Sequence, residues 1–185
     1  MAMESTHTPT TRHGTHDPTT TVVIRPASHL DAAAISRLVT VNVGLGHLLP
    51  RTPDDVTRHV SRFLVAASDE TVLGCGELAP LSETLLEIRS LVVATESRGT
   101  GIGTAVLTAL VAGARRQGVP RLCAFAHVPH SFVALGFSIV PHTWLPEKIM
   151  TDCQGCEWFR RCEQYALIIE FGWGQSGPRG TASNP

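Results

Sequence analysis

The chain has 185 residues, with 15 lysines and arginines against 16 aspartates and glutamates, for a formal net charge of −1. Its apolar share of 43% and charged share of 17% suit one globular domain with a substantial core. The near-neutral balance offers no global field to nucleic acid or an acidic membrane. No apolar run nears the ~20 residues of a membrane span, and the N-terminus lacks a signal-peptide core. A cytoplasmic protein with no nucleic-acid and no membrane partner is expected.

Residues 1–21, rich in Thr and His and nearly free of apolar side chains, read as a disordered leader. Thr21 to Arg25 is a β-prone run ended by Pro26. Ser28-x-x-Asp31 has the form of a helix N-terminal cap, and Ala34, Ile35, Leu38, Val39 and Asn42 continue a helical face toward Gly44. Pro53-Asp54-Asp55 is a second helix start, with proline in the first turn and acids against the dipole. Strands follow at Phe63 to Ala67, Thr71 to Ala79 and Thr84 to Val93, then a helix over 101–117 closed by Gly118 and Pro120. Arg121 to Ala126 reads as a buried strand, Ser131 to Leu135 as a short helix, and Gly136-Phe137 leads into another short strand. Tyr165 to Phe171 is the last strand, and residues 172–185, rich in Gly, Pro and Ser, read as a flexible tail. The folded unit is therefore 22–171.

The most informative stretch is Arg98-Gly99-Thr100-Gly101-Ile102-Gly103, placed where a strand gives way to a helix. Such a turn leaves backbone N–H groups free at the positive end of the helix dipole, which suits a phosphate. No Gly-Lys-Ser/Thr follows, so it is not a Walker A loop, and its spacing misses the dinucleotide pattern G-x-G-x-x-G. An arginine followed by x-x-Gly-x-Gly resembles the acetyl-CoA loop of the GNAT acetyltransferases. The element order and Leu135-Gly136-Phe137 extend that resemblance over nearly the whole folded unit. It implies an α/β GNAT fold: a mixed, mostly antiparallel sheet with helices on both faces and a splayed central strand pair.

Four further stretches resemble the short bacterial N-acetylglutamate synthases. They are Leu49-Pro50-Arg51-Thr52, Glu87-Ile88-Arg89-Ser90-Leu91, Leu145-Pro146-Glu147-Lys148, and Asp152-Cys153-Gln154-Gly155-Cys156 running on to Cys162 and Glu163. The chain departs from the usual pattern at His127-Val128-Pro129-His130. The resemblance implies acetyl-CoA as co-substrate, a small-molecule acidic amine as acceptor, and transfer of acetyl to the α-amine of glutamate or a close relative. Two alternatives stay open: a synthase-like enzyme of specialised metabolism acting on a carboxylate-bearing amine or hydrazine, and a non-catalytic acyl-CoA-binding module. A homodimer also stays open.

Carried over by residue, the resemblance puts the pantetheine arm on the backbone of Leu91, Val92 and Val93. It puts the pyrophosphate on Gly99, Thr100, Gly101, Ile102, Gly103 and Thr104, with Arg98 beside them. Transfer to an amine needs a base, and Glu87, inside an apolar strand where a carboxylate is costly, is the candidate. Its alternative role is an ion pair with Arg89 on the same strand face. Val92 or Val93 N–H would face the developing oxyanion. The family's tyrosine acid falls at Phe132, and the only tyrosine is Tyr165, so water, Ser131 or a neighbouring histidine would serve instead. Arg51, Arg89 and Lys148 are candidates to bind the acceptor's carboxylates, with plain surface charge the alternative for Arg51 and Lys148. Cys153-x2-Cys156-x5-Cys162 has partly zinc-like spacing, with His142 or Asp152 needed as fourth ligand. A packed cap is the alternative, and no metal is assigned.

Overall fold

The computed structural model describes residues 21–44, 48 and 50–172. Except for Thr21 and Gly172, the leader and tail expected from composition lie outside the described residues. The strands are β1 (Val23–Pro26), β2 (Phe63–Ser68), β3 (Thr71–Ser82), β4 (Leu85–Val93), β5 (Arg121–Ala126), β6 (Ser138–Val140) and β7 (Tyr165–Glu170). The helices are α1 (Ala32–Gly44), α2 (Pro53–Arg58), α3 (Ile102–Arg116), α4 (His130–Ala134) and α5 (Pro146–Lys148), the last continued by a π-helical turn at Ile149–Cys153. One sheet takes the order β1-β2-β3-β4-β5-β7-β6. β4 and β5 run parallel, and every other pairing among the described residues is antiparallel. This is the mixed sheet expected from the element order. The short helix and π turn at 146–153 had no periodic signature and were not anticipated.

Local chemistry sets the corners. Asp31 is buried and accepts from Arg25 Nη1 (2.8 Å) and Nη2 (2.9 Å), and from the backbone N (2.7 Å) and Oγ (2.9 Å) of Ser28. The expected cap is thus present, and an arginine from β1 reinforces it. Thr52 Oγ1 accepts from Asp55 N (3.1 Å) and starts α2, with Pro53 in its first turn.

Two clusters cover the sheet. α3 places Val106, Leu107, Leu110 and Ala114 against Ala66, Leu78, Leu86, Ile88, Leu122 and Ala124 on one face. α1 and α2 place Ile35, Val39 and Val56 against Phe63, Val65, Cys75 and Val92 on the other. Helices on both faces follow from this division.

Two irregularities shape β4. Its register with β3 shifts between Glu77↔Arg89 and Cys75↔Val92, so Ser90 and Leu91 together oppose Gly76, and Ser90 takes a φ of 53°. The extra residue reverses facing: Leu86 and Ile88 share the α3 face with Leu91 and Val93, while Val92 packs on the opposite face. On its other edge, β4 pairs with β5 only from Leu85↔Arg121 to Ile88↔Ala124. Beyond Ile88 the two parallel strands part, as the resemblance implied.

Gly76 allows α3 to sit close over the bulge, since a Cβ there would lie 2.6 Å from Leu110 Cδ1. We expect Leu110→Ala to cost about 2–5 kcal/mol and Gly76→Ala about 1–3 kcal/mol. The double variant should cost clearly less than the sum, because the new methyl enters the space Leu110 vacates. Urea unfolding of the four proteins checks it; strict additivity would mean the two residues do not share that space.

Candidate active site

β4 leads through a 3-10 turn, Thr95–Ser97, into the glycine loop. Gly99 and Gly101 adopt φ of 78° and 88°, and a Cβ on either would meet nothing within 4 Å. Backbone angle, not space, therefore calls for glycine at both positions. Thr100 Oγ1 donates to Ser97 O (2.7 Å) and closes the loop. Among the described residues, no acceptor meets the backbone N–H groups of Gly99 to Thr104. A row of open donors at the start of a 15-residue helix fits a pyrophosphate. Arg98 is tethered: its Nη2 donates to Asn42 Oδ1 (2.8 Å), and buried Asn42 donates in turn to Leu38 O (2.8 Å). It thus couples the loop to α1. Leu91, Val92 and Val93 lie in the part of β4 that β5 has left, so that edge has no strand partner among the described residues.

Beside the parting strands lies a cavity of about 990 Å³. Glu87, Arg89, Arg51 and Lys148 all line it, together with His127, Asp152 and the segment from Cys153 to Gln164. Four residues singled out from three separate sequence stretches therefore meet in one place. The resemblance's cofactor residues, 91–93 and 98–104, run on from it along β4 and into α3.

The charges pair differently from expectation. Glu87 and Arg89 share a strand face but do not pair with each other. Arg89 binds Glu77 of β3 in a two-pronged contact, Nε to Oε2 at 2.8 Å and Nη2 to Oε1 at 3.1 Å. Glu87 Oε1 instead lies 2.5 Å from Lys148 Nζ, which also donates to Asp152 Oδ2 at 2.6 Å. Lys148 is only 5% exposed and Glu87 2%, so the surface-charge alternative for Lys148 is excluded. With its ammonium held by two carboxylates, Lys148 is also no free clamp for an acceptor. Glu87 Oε2 is buried and meets no partner among the described residues.

Burial raises the Glu87 carboxyl above its ordinary value, against the pull of Lys148. Burial works against the Lys148 ammonium, but Glu87 and Asp152 overcome it and raise its pKa. Asp152 is lowered: burial opposes this, and the hydrogen bond and charge of Lys148, with Arg51 and Arg89, outweigh it.

Glu77 was missed from sequence, and Asp152 was weighed there only as a metal ligand, not as a partner of Lys148. The signal for Asp152 was its i,i+4 spacing from Lys148. The signal for Glu77 was a carboxylate in an apolar strand, but the bulges of β3 and β4 hide its partner.

Phe132, at the position of the family's tyrosine, is buried edge-on against Phe137 (5.4 Å between ring centres). Tyr165 is half-exposed on β7 and does not line the cavity. Of the groups proposed in place of a tyrosine, His127 lines the cavity, whereas Ser131 and His130 do not. His142 Nε2 donates to Gln164 O (2.9 Å), and Asp152 is taken by Lys148. Both would-be fourth zinc ligands are thus engaged, and no group of three or more His, Cys, Asp and Glu among the described residues is placed to hold a metal. Cys162 is exposed and Cys153 and Cys156 half-buried, so the segment is a cavity wall, not a cap of buried thiols. No described helix is long and apolar enough to cross a membrane.

Residues 42–137 match the acetyltransferase (GNAT) family. The chain is 30% identical over 151 residues to an uncharacterized N-acetyltransferase of Chlorobaculum tepidum, covering 82% of this chain and 97% of that one. It is 32% identical over 126 residues to an amino-acid acetyltransferase of Ralstonia nicotianae, covering 67% of this chain but only 28% of that longer protein. Among solved structures it resembles N-acetylglutamate synthase from Neisseria gonorrhoeae, complexed with coenzyme A and N-acetyl-glutamate. The TM-score is 0.71 at 26% identity, over 81% of this chain and 35% of that one. A Mycobacterium tuberculosis protein in complex with CoA shares the fold at a TM-score of 0.69 and 24% identity, over 80% of this chain and 99% of that one.

Replacing Lys148 by Met should leave two carboxylates without their cation and cost about 3–5 kcal/mol at pH 7. The sign with pH follows from the carboxyls. Without Lys148 both folded-state pKa values rise, so the variant's native state binds more protons than the wild type's. The deficit should therefore shrink as pH falls from 7 to 5. Denaturant unfolding across that range checks this, and a deficit independent of pH would show that packing, not charge, is what Lys148 contributes.

Proposed function

The chain belongs to the GNAT family of acetyltransferases, and on that premise we propose that it is an acetyl-CoA-dependent N-acetyltransferase whose acceptor is the amine of glutamate or a close acidic relative. The observation that carries the acceptor assignment is the convergence of Arg51 and Arg89 on the cavity that Glu87 lines. A cavity that places two guanidinium groups near a buried carboxylate with a free oxygen suits a molecule carrying carboxylates and an amine. The resemblance to the gonococcal synthase domain supports the same reading.

When bound, acetyl-CoA supplies the acetyl group as a thioester. The open N–H groups of Gly99 to Thr104 would hold its pyrophosphate, and the unpaired edge of Leu91 to Val93 its pantetheine arm. Arg51 makes no ion pair among the described residues and is available to a carboxylate. Arg89 spends Nε and one Nη2 hydrogen on Glu77 and keeps Nη1. Glu77 thereby fixes the direction in which Arg89 presents its remaining donors. Glu87 Oε2 takes the proton from the acceptor's ammonium, directly or through a water. A carboxyl raised by burial is a better base for that purpose than an exposed one. His127, which lines the same cavity, would return a proton to the leaving thiolate.

The size of the cavity and its aromatic wall of Phe125, Trp158 and Phe159 favour one second reading, a bulkier carboxylate-bearing amine or hydrazine. Glu87, which lines the cavity and keeps one buried oxygen without a partner among the described residues, weighs against a purely acyl-CoA-binding module.

Thiol release from acetyl-CoA with a panel of amines decides among these: glutamate, glutamine, neutral amino acids and larger acidic amines. Arg51→Ala should lower kcat/KM for glutamate by about 10- to 150-fold, the loss of one charged hydrogen bond, while acetyl-CoA affinity stays unchanged. Equal turnover of glutamate by the variant would place the carboxylate clamp elsewhere. Arg89 is the poorer test, because its removal strands the buried Glu77. Gly101→Asp should abolish acetyl-CoA binding by calorimetry, since it puts a carboxylate and a strained backbone where the pyrophosphate is read to sit. Undiminished affinity in the folded variant would sink the phosphate-loop reading.

A further inference from the structure

Lys148 is the member of this site whose position is hardest to account for by acceptor binding alone. Its ammonium is buried, lies 2.5 Å from Glu87 Oε1 and donates at 2.6 Å to Asp152 Oδ2. One cation thus serves two carboxylates, one on the central strand and one on the π-helical turn. Glu87 lines the cavity, and its Oε2, the oxygen of the triad that meets no partner among the described residues, is buried.

The proton step sets a constraint. When the acceptor's N–H bond breaks, the electron pair stays on nitrogen and the proton goes to Glu87 Oε2. Glu87 is then neutral. If Glu87 were the only counter-ion, that step would leave a buried ammonium unpaired, which costs several kcal/mol. Asp152 removes the difficulty, because Lys148 keeps a full counter-ion throughout. From this geometry we infer that Asp152 is a positioning residue for the transfer: it holds Lys148 charged and in place while Glu87 gains and loses the proton.

The surroundings agree. The charged and titratable groups that face Glu87 are Lys148 from α5, Asp152 from the π turn, Arg89 from its own strand and Cys123 across the parallel pair on β5. Glu77 occupies Arg89, and the buried Cys123 thiol is pushed up by burial first and by Glu87 second. Among these groups Asp152 raises Glu87, while Lys148 and Arg89 lower it. Arg51, beyond Asp152, helps hold Asp152 ionised.

The inference rests on Glu87 being the base of the proposed reaction, and its test reads Glu87 without activity. Protein labelled with 13C at the glutamate side-chain carboxyls is titrated by NMR free of ligand, with Glu87 assigned by the signal lost in Glu87→Gln. Asp152→Asn keeps the shape and removes the charge, so Glu87 should titrate about one pH unit lower. The acid limb of kcat/KM should move down by the same amount. Asp152→Glu should return both toward wild type. Asp152→Ser, measured alongside, gives the same answer if the Asn variant does not fold. A Glu87 titration that stays put or moves up in the folded variants overturns the inference. A shifted Glu87 with no acetylation of glutamate would leave Asp152's role intact and defeat the acceptor assignment instead.

Discussion

A buried ammonium held between two carboxylates ties this molecule together at its site. Lys148 comes from a three-residue helix, Glu87 from the middle of the sheet and Asp152 from a π turn, and the two buried charges, Lys148 and Glu87, would be costly without these partners. Lys148 also lies over the Phe125 ring, 5.5 Å from its centre, so the contact reaches β5 as well. The segment after β6 has little regular structure of its own, and this contact pins it over the parting strands. The cavity wall from Cys153 to Gln164 follows from that attachment. Buried ion pairs of this kind contribute little net stability against apolar packing, yet breaking one is costly. The proposed proton step would give this pair a role that folding alone does not.

The second pair, Arg89 and Glu77, does similar work one step along the strand. It cross-links β3 and β4 just before the bulge, and it lets an arginine sit at the edge of an apolar layer with part of its donor fork still unspent. The bulge at Ser90 then turns Leu91 and Val93 toward α3, while the backbone of the same residues runs beside an edge that β5 has left. One strand therefore carries the proposed proton acceptor, a cationic side chain and the open backbone edge in sequence. The glycine loop takes over where the strand ends, and Arg98 locks that loop to α1 through Asn42.

Much of this was legible beforehand. Period-two and helical runs, proline and glycine punctuation and the Ser28-x-x-Asp31 cap are local signals, and β1 to β5 and α1 to α3 formed close to where those signals lie. The glycine loop was legible for the same reason, since positive φ at Gly99 and Gly101 is a demand that one residue type meets cheaply. Glu87, Arg89, Arg51 and Lys148 stood out as charges in apolar or motif-bearing stretches, and all four line the cavity.

What each charge would bind was not legible. The i,i+2 spacing of Glu87 and Arg89 suggested a pair, but neighbours on one strand face compete with partners brought by register and by crossing segments. Register across β3 and β4 depends on two shifts, at Leu81 and at Ser90 and Leu91, and each moves the opposing residue by one. Sequence periodicity holds no record of such a shift, so Glu77 could not be assigned to Arg89. Lys148 and Glu87 are separated by sixty-one positions and joined only by the way α5 folds back over the sheet. Local backbone preference, read along the chain, determined the elements and the phosphate-type loop. Which carboxylate neutralises which cation was decided by tertiary structure alone, because a buried charge takes the partner that the fold places within hydrogen-bonding distance.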